Sequence, residues 1–175
     1  KQFKDFSLFS ELGGIIQRLE DKVYTAKTQQ ESIIYLDKNE NLRGSAHLDV
    51  LYQAILKKIC LTISYQSFKA RTPSFLILHP YILKQFNNRW FLVGKKASEP
   101  TILTLALDRI EKVTHNLQVS YSKEGFNGDT YYENTIGVTV FSNDHLKTTR
   151  LKIDRRSAPY VLTKPFHHSQ VLTER

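Results

Sequence analysis

The hydrophobic period of this chain changes near residue 59, and that change constrains the fold more than any other feature. Upstream, apolar residues recur every three or four positions, as on one face of a helix. Downstream, CLTISYQSF alternates, so Leu61, Ile63 and Tyr65 share one side of an extended strand and Thr62, Ser64 and Gln66 the other. Three further runs, FLILHPYIL, RWFLVG and TILTLALDRIEKV, continue as strands. Asn87-Asn88, between the second and third runs, suits a two-residue hairpin because asparagine tolerates positive φ. Pro80 cannot donate to a sheet ladder, which predicts either an edge strand or a bulge at that point. Several short strands after two helices read as a small antiparallel barrel.

Two helices are expected ahead of the strands. The first carries Leu8, Leu12, Ile16, Leu19 and Val23, with Ser7 as N-cap. Gly13 and Gly14 interrupt it at about 1 kcal/mol each relative to alanine, so it needs a packing partner. After the polar turn DKNENLRGS, the second places Leu48, Leu51, Tyr52, Ile55 and Leu56 on one face and closes on Lys57 and Lys58, where positive charge complements a helix C-terminus. Beyond Lys123 the texture changes again. EGFNGD reads as a turn, TIGVTVF and TTRLKID as strands, and SAPYVL as a short helix with Pro159 in its first turn.

A chain of 175 residues with 41% hydrophobic and 24% charged residues can bury a core of its own. It has no apolar run long enough to cross a bilayer and no visible signal peptide. A single cysteine, Cys60, excludes an internal disulfide and a cysteine-built metal site, which suits a reducing cytosol. The net charge of +8 favours a polyanionic partner, although many basic proteins use such charge only for solubility. The chain starts KQFKDF, contains no methionine, and is expected to be a fragment.

Few constellations suggest chemistry. His167 and His168 are adjacent, point in different directions, and have no carboxylate or thiol at ligand spacing, so no metal is expected. Cys60 lacks a nucleophile's local signature and reads as a small buried hydrophobe. Asp108-Arg109 fits a structural ion pair better than a catalytic one. With no GxGxxG, phosphate-loop or GxSxG pattern, neither enzyme nor cofactor is expected. What remains is a mixture of rings and cations along successive strands: Tyr65, Lys69, Arg71, His79, Tyr81, Arg89, Trp90 and Arg109. Rings can stack on bases and guanidiniums fork onto phosphate, whereas the plain alternative is core rings and solvated charges.

The segment from Ser45 to about Phe141 resembles the WYL domain of bacterial transcriptional regulators, in versions typical of Bacteroidetes-type bacteria. The resemblance rests on LYQAILKK leading into ISYQSF, on HPYILKQFNNRWFLVG and on LALDRI, with Trp90-Phe91-Leu92 as the name motif and Phe where Tyr is usual. It implies an Sm-like or SH3-like five-stranded barrel followed by a ferredoxin-like extension that often takes part in dimerisation. It also implies a winged helix-turn-helix upstream of this fragment for operator DNA. The domains expected are a helical connector over 1–58, the barrel over 59–122 and the start of an α+β extension over 123–175. Tyr65, His79, Arg89, Trp90 and Arg109 carry over as ligand residues, and Arg71 joins them from the pattern of basic residues. Ala106 stands where many relatives have arginine, removing one cationic contact.

The expected function is therefore a cytoplasmic, homodimeric sensor domain that binds a nucleic acid or nucleotide and modulates DNA binding. The alternative is a structural dimerisation module with no ligand. Strand geometry leaves Trp90 two options. Either Phe91 and Val93 face the core and Trp90 the surface, or Trp90 and Leu92 face inward with Arg89 near a mouth of the barrel. The second is preferred, since a lone tryptophan beside leucine is more often core than platform.

Overall fold

The computed structural model describes residues 44–140 and 146–173. The first expected helix lies outside the described residues. The chain divides into two compact units between Phe126 and Asn127. Among the described residues no helix is long and apolar enough to cross a membrane.

Among its described residues, the first unit combines one α-helix with a five-stranded antiparallel sheet. A short 3-10 turn, Ser45–His47, runs into helix α1, Leu48–Leu56. Leu48, Leu51 and Ala54 are buried against the sheet, with Tyr52 and Ile55 partly covered, while Leu56 turns outward. The helix ends in a Schellman arrangement in which Lys58 N–H donates to Ile55 O and Ile59 N–H to Ala54 O. Lys58 takes the left-handed conformation, φ 53°, that glycine usually supplies there.

The strands are β1 Cys60–Tyr65, β2 Ser74–Phe86, β3 Arg89–Lys96, β4 Ile102–Ala106 and β5 Ile110–Asn116, in the order β4-β3-β2-β1-β5. Asn87 and Asn88, at φ 47° and 58°, close the β2–β3 hairpin with Phe86 opposite Arg89. Of the two roles Pro80 allowed, the bulge is realised: β2 is the central strand, and its register against β3 shifts between Pro80 and Ile82. β2 is long enough to pair with β1 through Ser74–Leu78 and with β3 through Leu78–Phe86, changing partner near the bulge.

The run TILTLALDRIEKV is not one strand. Leu107–Arg109 forms a 3-10 turn that separates β4 from β5, which are the two edges of the sheet. A flat sheet would hold its outer strands about 19 Å apart, at about 4.8 Å per neighbour. From Ala106 to Ile110 the backbone reaches at most about 14 Å. The sheet is therefore curled, with its hydrogen bonding open between the edges. Its concave side holds the core of Leu61, Ile63, Leu78, Leu92, Leu105, Leu107 and Ile110 with the α1 leucines.

The described residues of the second unit include two short helices, α2 Gly128–Tyr132 and α3 Ala158–Thr163. Asn127 caps α2 by accepting from Asp129 N–H (2.8 Å) and Thr130 N–H (3.3 Å), and Pro159 lies in the first turn of α3 as expected. The strands expected in TIGVTVF and TTRLKID do not form among the described residues, which run without ladder partners there. Alternation makes a segment suitable for a sheet, but a strand exists only once its backbone groups are paired.

Candidate ligand-binding site

Of the residues that the sequence marks, Arg89, Arg109 and Tyr65 come to the corner made by the 3-10 turn. Leu107 is buried and anchors it. On one side the turn is approached by Gly44, at φ 87°, where an added Cβ would lie 2.3 Å from the carbonyl carbon and oxygen of Leu107. Only glycine fits both that backbone conformation and that proximity. His47 fixes the next link, its Nε2 donating to Ile110 O at 3.0 Å. On the other side Gln66 N–H donates to Arg109 O at 3.0 Å, and the Gln66 amide donates to Ala70 O and Arg71 O at 3.2 and 3.4 Å. The β1–β2 loop is thus tied to the turn that carries Asp108 and Arg109.

The Arg109 guanidinium lies over the Phe68 ring, 4.3 Å from its centroid. The Phe68 side chain is itself largely open to solvent. Asp108 stands between two cations, with Arg109 Nε 4.0 Å from one carboxylate oxygen and Arg89 Nη1 4.0 Å from the other. Those distances allow charge attraction but are too long for hydrogen bonds. Asp108 Oδ1 and Arg109 Nε are shielded from solvent and have no hydrogen-bond partner. The Arg89 side chain, at the head of β3, remains 56% exposed. The corner therefore offers two guanidiniums with spare donors, one steadied on a ring and one free to reorient.

Tyr65 ends β1 opposite Ser74 and Ile110 and packs against the core. Arg71 lies exposed in the adjoining loop. Trp90 and Leu92 both pack on the core side, the preferred option, so Trp90 lines the core instead of forming an exposed platform. His79 is not brought to this corner. It sits beside the opposite end of β1, with Cys60 Sγ 3.2 Å from its Nδ1, and Cys60 lies five residue steps along the strand from Tyr65, about 17 Å. Phe68, Gln66 and the bridging position of Asp108 are the residues that sequence reasoning missed. The tie of Gln66 to Arg109 is a long-range contact with no local signal.

His79 belongs instead to a buried cluster on the convex side of β2. Ser122 N–H donates to His79 Nδ1 at 3.1 Å, so that nitrogen is an acceptor and the proton of the neutral ring is on Nε2. Tyr121 stacks edge-on against His79 and Tyr81, donates its hydroxyl to Pro80 O at 2.8 Å, and Tyr81 packs on Phe126. Burial, then Lys95 opposite His79 in the β3 register, lowers the imidazole pKa, only partly opposed by Glu124. Burial raises the Cys60 thiol. A neutral thiol beside a neutral imidazole is a packed pair, not an activated nucleophile.

The cluster predicts a pH profile. Because the folded His79 pKa is below its unfolded value of about 6.5, the unfolded chain binds more protons on acidification. Stability should therefore be full above that value and decline below it. Tyr121, pushed up to about 12 mainly by burial, should contribute stability below its unfolded pKa of about 10 that is lost as the pH rises between the two. Urea midpoints at about pH 7.5 and about pH 5 test the acid limb, and His79→Gln should flatten it.

Residues 46–115 match the family model of the WYL domain. Among solved structures, the chain is similar to proteasome accessory factor B/C of Arthrobacter aurescens at 17% identity and a TM-score of 0.42, over 57% of this chain and 14% of that one. The chain thus spans a small part of that neighbour's length. No curated protein matches the sequence. The matched residues run from the 3-10 turn ahead of α1 almost to the end of β5, and take in the Trp90-Phe91-Leu92 strand and the Asp108-Arg109 corner; over that stretch the chain matches the WYL domain family.

Proposed function

We propose that this WYL domain is the ligand-sensing part of a transcriptional regulator and that its ligand is an anion, a nucleic acid or nucleotide, held at the corner of Arg89 and Arg109. The observation that carries the reading is the pair of guanidiniums converging on a single carboxylate, with Arg109 steadied on Phe68. Arginine offers a planar fork matched to phosphate, and each guanidinium here keeps donors to spare. Tyr65 and the loop bearing Arg71 border the corner, and the net charge of +8 favours the same class of ligand. In this reading the curled sheet is an Sm-like barrel and the second unit begins a ferredoxin-like extension. The domain binds and does not catalyse, it works in the cytoplasm as a homodimer, and operator DNA is read by a winged helix-turn-helix elsewhere in the regulator.

Binding of a labelled single-stranded oligonucleotide tests this. Arg109→Ala should weaken it by about 1–3 kcal/mol, the range for removing a charge-assisted hydrogen bond, with little change in melting temperature. If Arg109 serves only the fold, the mutant will instead melt earlier and its folded fraction will bind as well as the wild type. A second reading, a dimerisation module without a ligand, is favoured by the exposed apolar side chains of the second unit, among them Ile136, Leu151, Tyr160 and Phe166. Sedimentation at micromolar concentration, with and without oligonucleotide, separates the two: a dimer that binds no anion supports the second.

A further inference from the structure

We infer that Asp108 is a built-in competitor for the anion site: its carboxylate holds the place between Arg89 and Arg109 that a ligand phosphate takes, and its charge limits how strongly the site binds. The inference rests on the reading of the corner as an anion site and adds the residue that sets its selectivity. Asp108 faces both guanidiniums at 4.0 Å, one through each carboxylate oxygen, and at that range accepts no hydrogen bond from either. Two cations facing one anion leave a single net positive charge. Arg109 Nε and Asp108 Oδ1 are both shielded from water and lack hydrogen-bond partners, so the unliganded corner holds polar atoms that the protein itself does not satisfy. A buried polar atom left unpaired carries a desolvation cost, which a ligand oxygen reaching Nε would relieve.

The arrangement also assigns different tasks to the two arginines. Arg109 is fixed by Phe68 beneath its guanidinium and by Gln66 on its own carbonyl. Arg89 is the more exposed partner and stands at the end of a strand. A phosphate arriving at Arg109 can therefore draw Arg89 away from Asp108 without disturbing the 3-10 turn. The carboxylate disfavours weak or singly charged anions, because the ligand must outcompete it for the arginines. A ligand that presents a doubly charged phosphate, or several phosphates in a row, meets that demand.

The test compares binding of a fluorescein-labelled oligothymidylate, at fixed low salt, to the wild type and to Asp108→Asn, which keeps the shape and removes the charge. Losing one negative charge about 4 Å from the site is expected to tighten binding roughly tenfold. Glu99→Gln removes the same charge at the β3–β4 turn, away from the corner, and should change affinity less than about twofold. Inorganic phosphate should compete with the oligonucleotide better in Asp108→Asn than in the wild type. Unchanged or weaker binding by a folded Asp108→Asn protein would mean that the carboxylate positions the arginines, and would overturn the inference while leaving the anion site in place. Equal tightening by Glu99→Gln would overturn it as well, by reducing the effect to net charge. Oligonucleotide binding that ignores Arg89→Ala and Arg109→Ala would remove the anion site, and this inference with it.

Discussion

Replacing Gly94 with alanine is expected to destabilise the five-stranded sheet domain by about 3 kcal/mol, at the upper end of what overpacking a core costs. Gly94 lies on β3, opposite Pro80 at the bulge and Leu103 on β4. A Cβ built there would stand 2.4 Å from the His79 carbonyl oxygen and 2.8 Å from a methyl of Leu78, whose side chain is fully buried. The first obstacle is backbone, so no rotamer change relieves it, and the second is surrounded by core. At roughly 4–8 °C per kcal/mol for a domain of this size, the melting temperature should fall by at least about 10 °C. Gly125→Ala supplies the contrast: its φ is 64° but no atom lies within 4 Å of the added carbon, so only conformational strain is at stake, about 1 kcal/mol. If the two variants melt together, close approach at the bulge is not what holds the strands.

That glycine ends the RWFLVG run, and its role could not be read from the run itself. What was legible had local causes. The alternation of Leu61, Ile63 and Tyr65, the left-handed asparagines at 87 and 88, the lysines closing α1 and Pro159 opening α3 each act within a few residues. Pro80 left two options, and only the pairing of β2 on both sides decided between them. The break at Leu107–Arg109 was hidden because ILTLALDRI is apolar almost throughout and any strand scale extends across it. The run of three buried residues, Leu105, Ala106 and Leu107, is the hint, since an alternating strand covered on one face buries every second residue.

The site was legible in part for the same reason. Arg89 and Arg109 come together because the sheet curls and a 3-10 turn carries β4 into β5, while Tyr65 meets that turn through its pairing with Ile110. His79 went elsewhere because β2 spans thirteen residues and changes partner midway, so a position five residues beyond Ser74 no longer faces the β1–β2 loop. The two expected strands that do not form among the described residues of the second unit show the opposite failure: the period was present in the sequence, but the ladder that would realise it depends on a partner that no period specifies.

Removing both arginines should cost more than either alone but less than their sum, because they share Asp108. With Arg89 gone, the carboxylate interacts with Arg109 alone and neutralises it; the reverse holds for Arg109→Ala. Each single substitution therefore removes one cation and weakens the other. Reductions of about 1–3 kcal/mol in binding free energy are expected for the single variants. The double variant should fall short of additivity by about 1 kcal/mol, within the range for residues in one charge network. The salt dependence gives an independent reading. Every phosphate of a single strand that is no longer neutralised should lower the slope of log K against log salt by about 0.7, so the double variant should be shallower than the wild type by about 1.4. Titrations at three salt concentrations on all four proteins measure both quantities. Additivity within about 0.5 kcal/mol would mean that the two guanidiniums bind the ligand independently. An unchanged slope would put the phosphate on other cations of the chain, for which the exposed Lys69 and Arg71 in the loop tied to Arg109 are the next to replace.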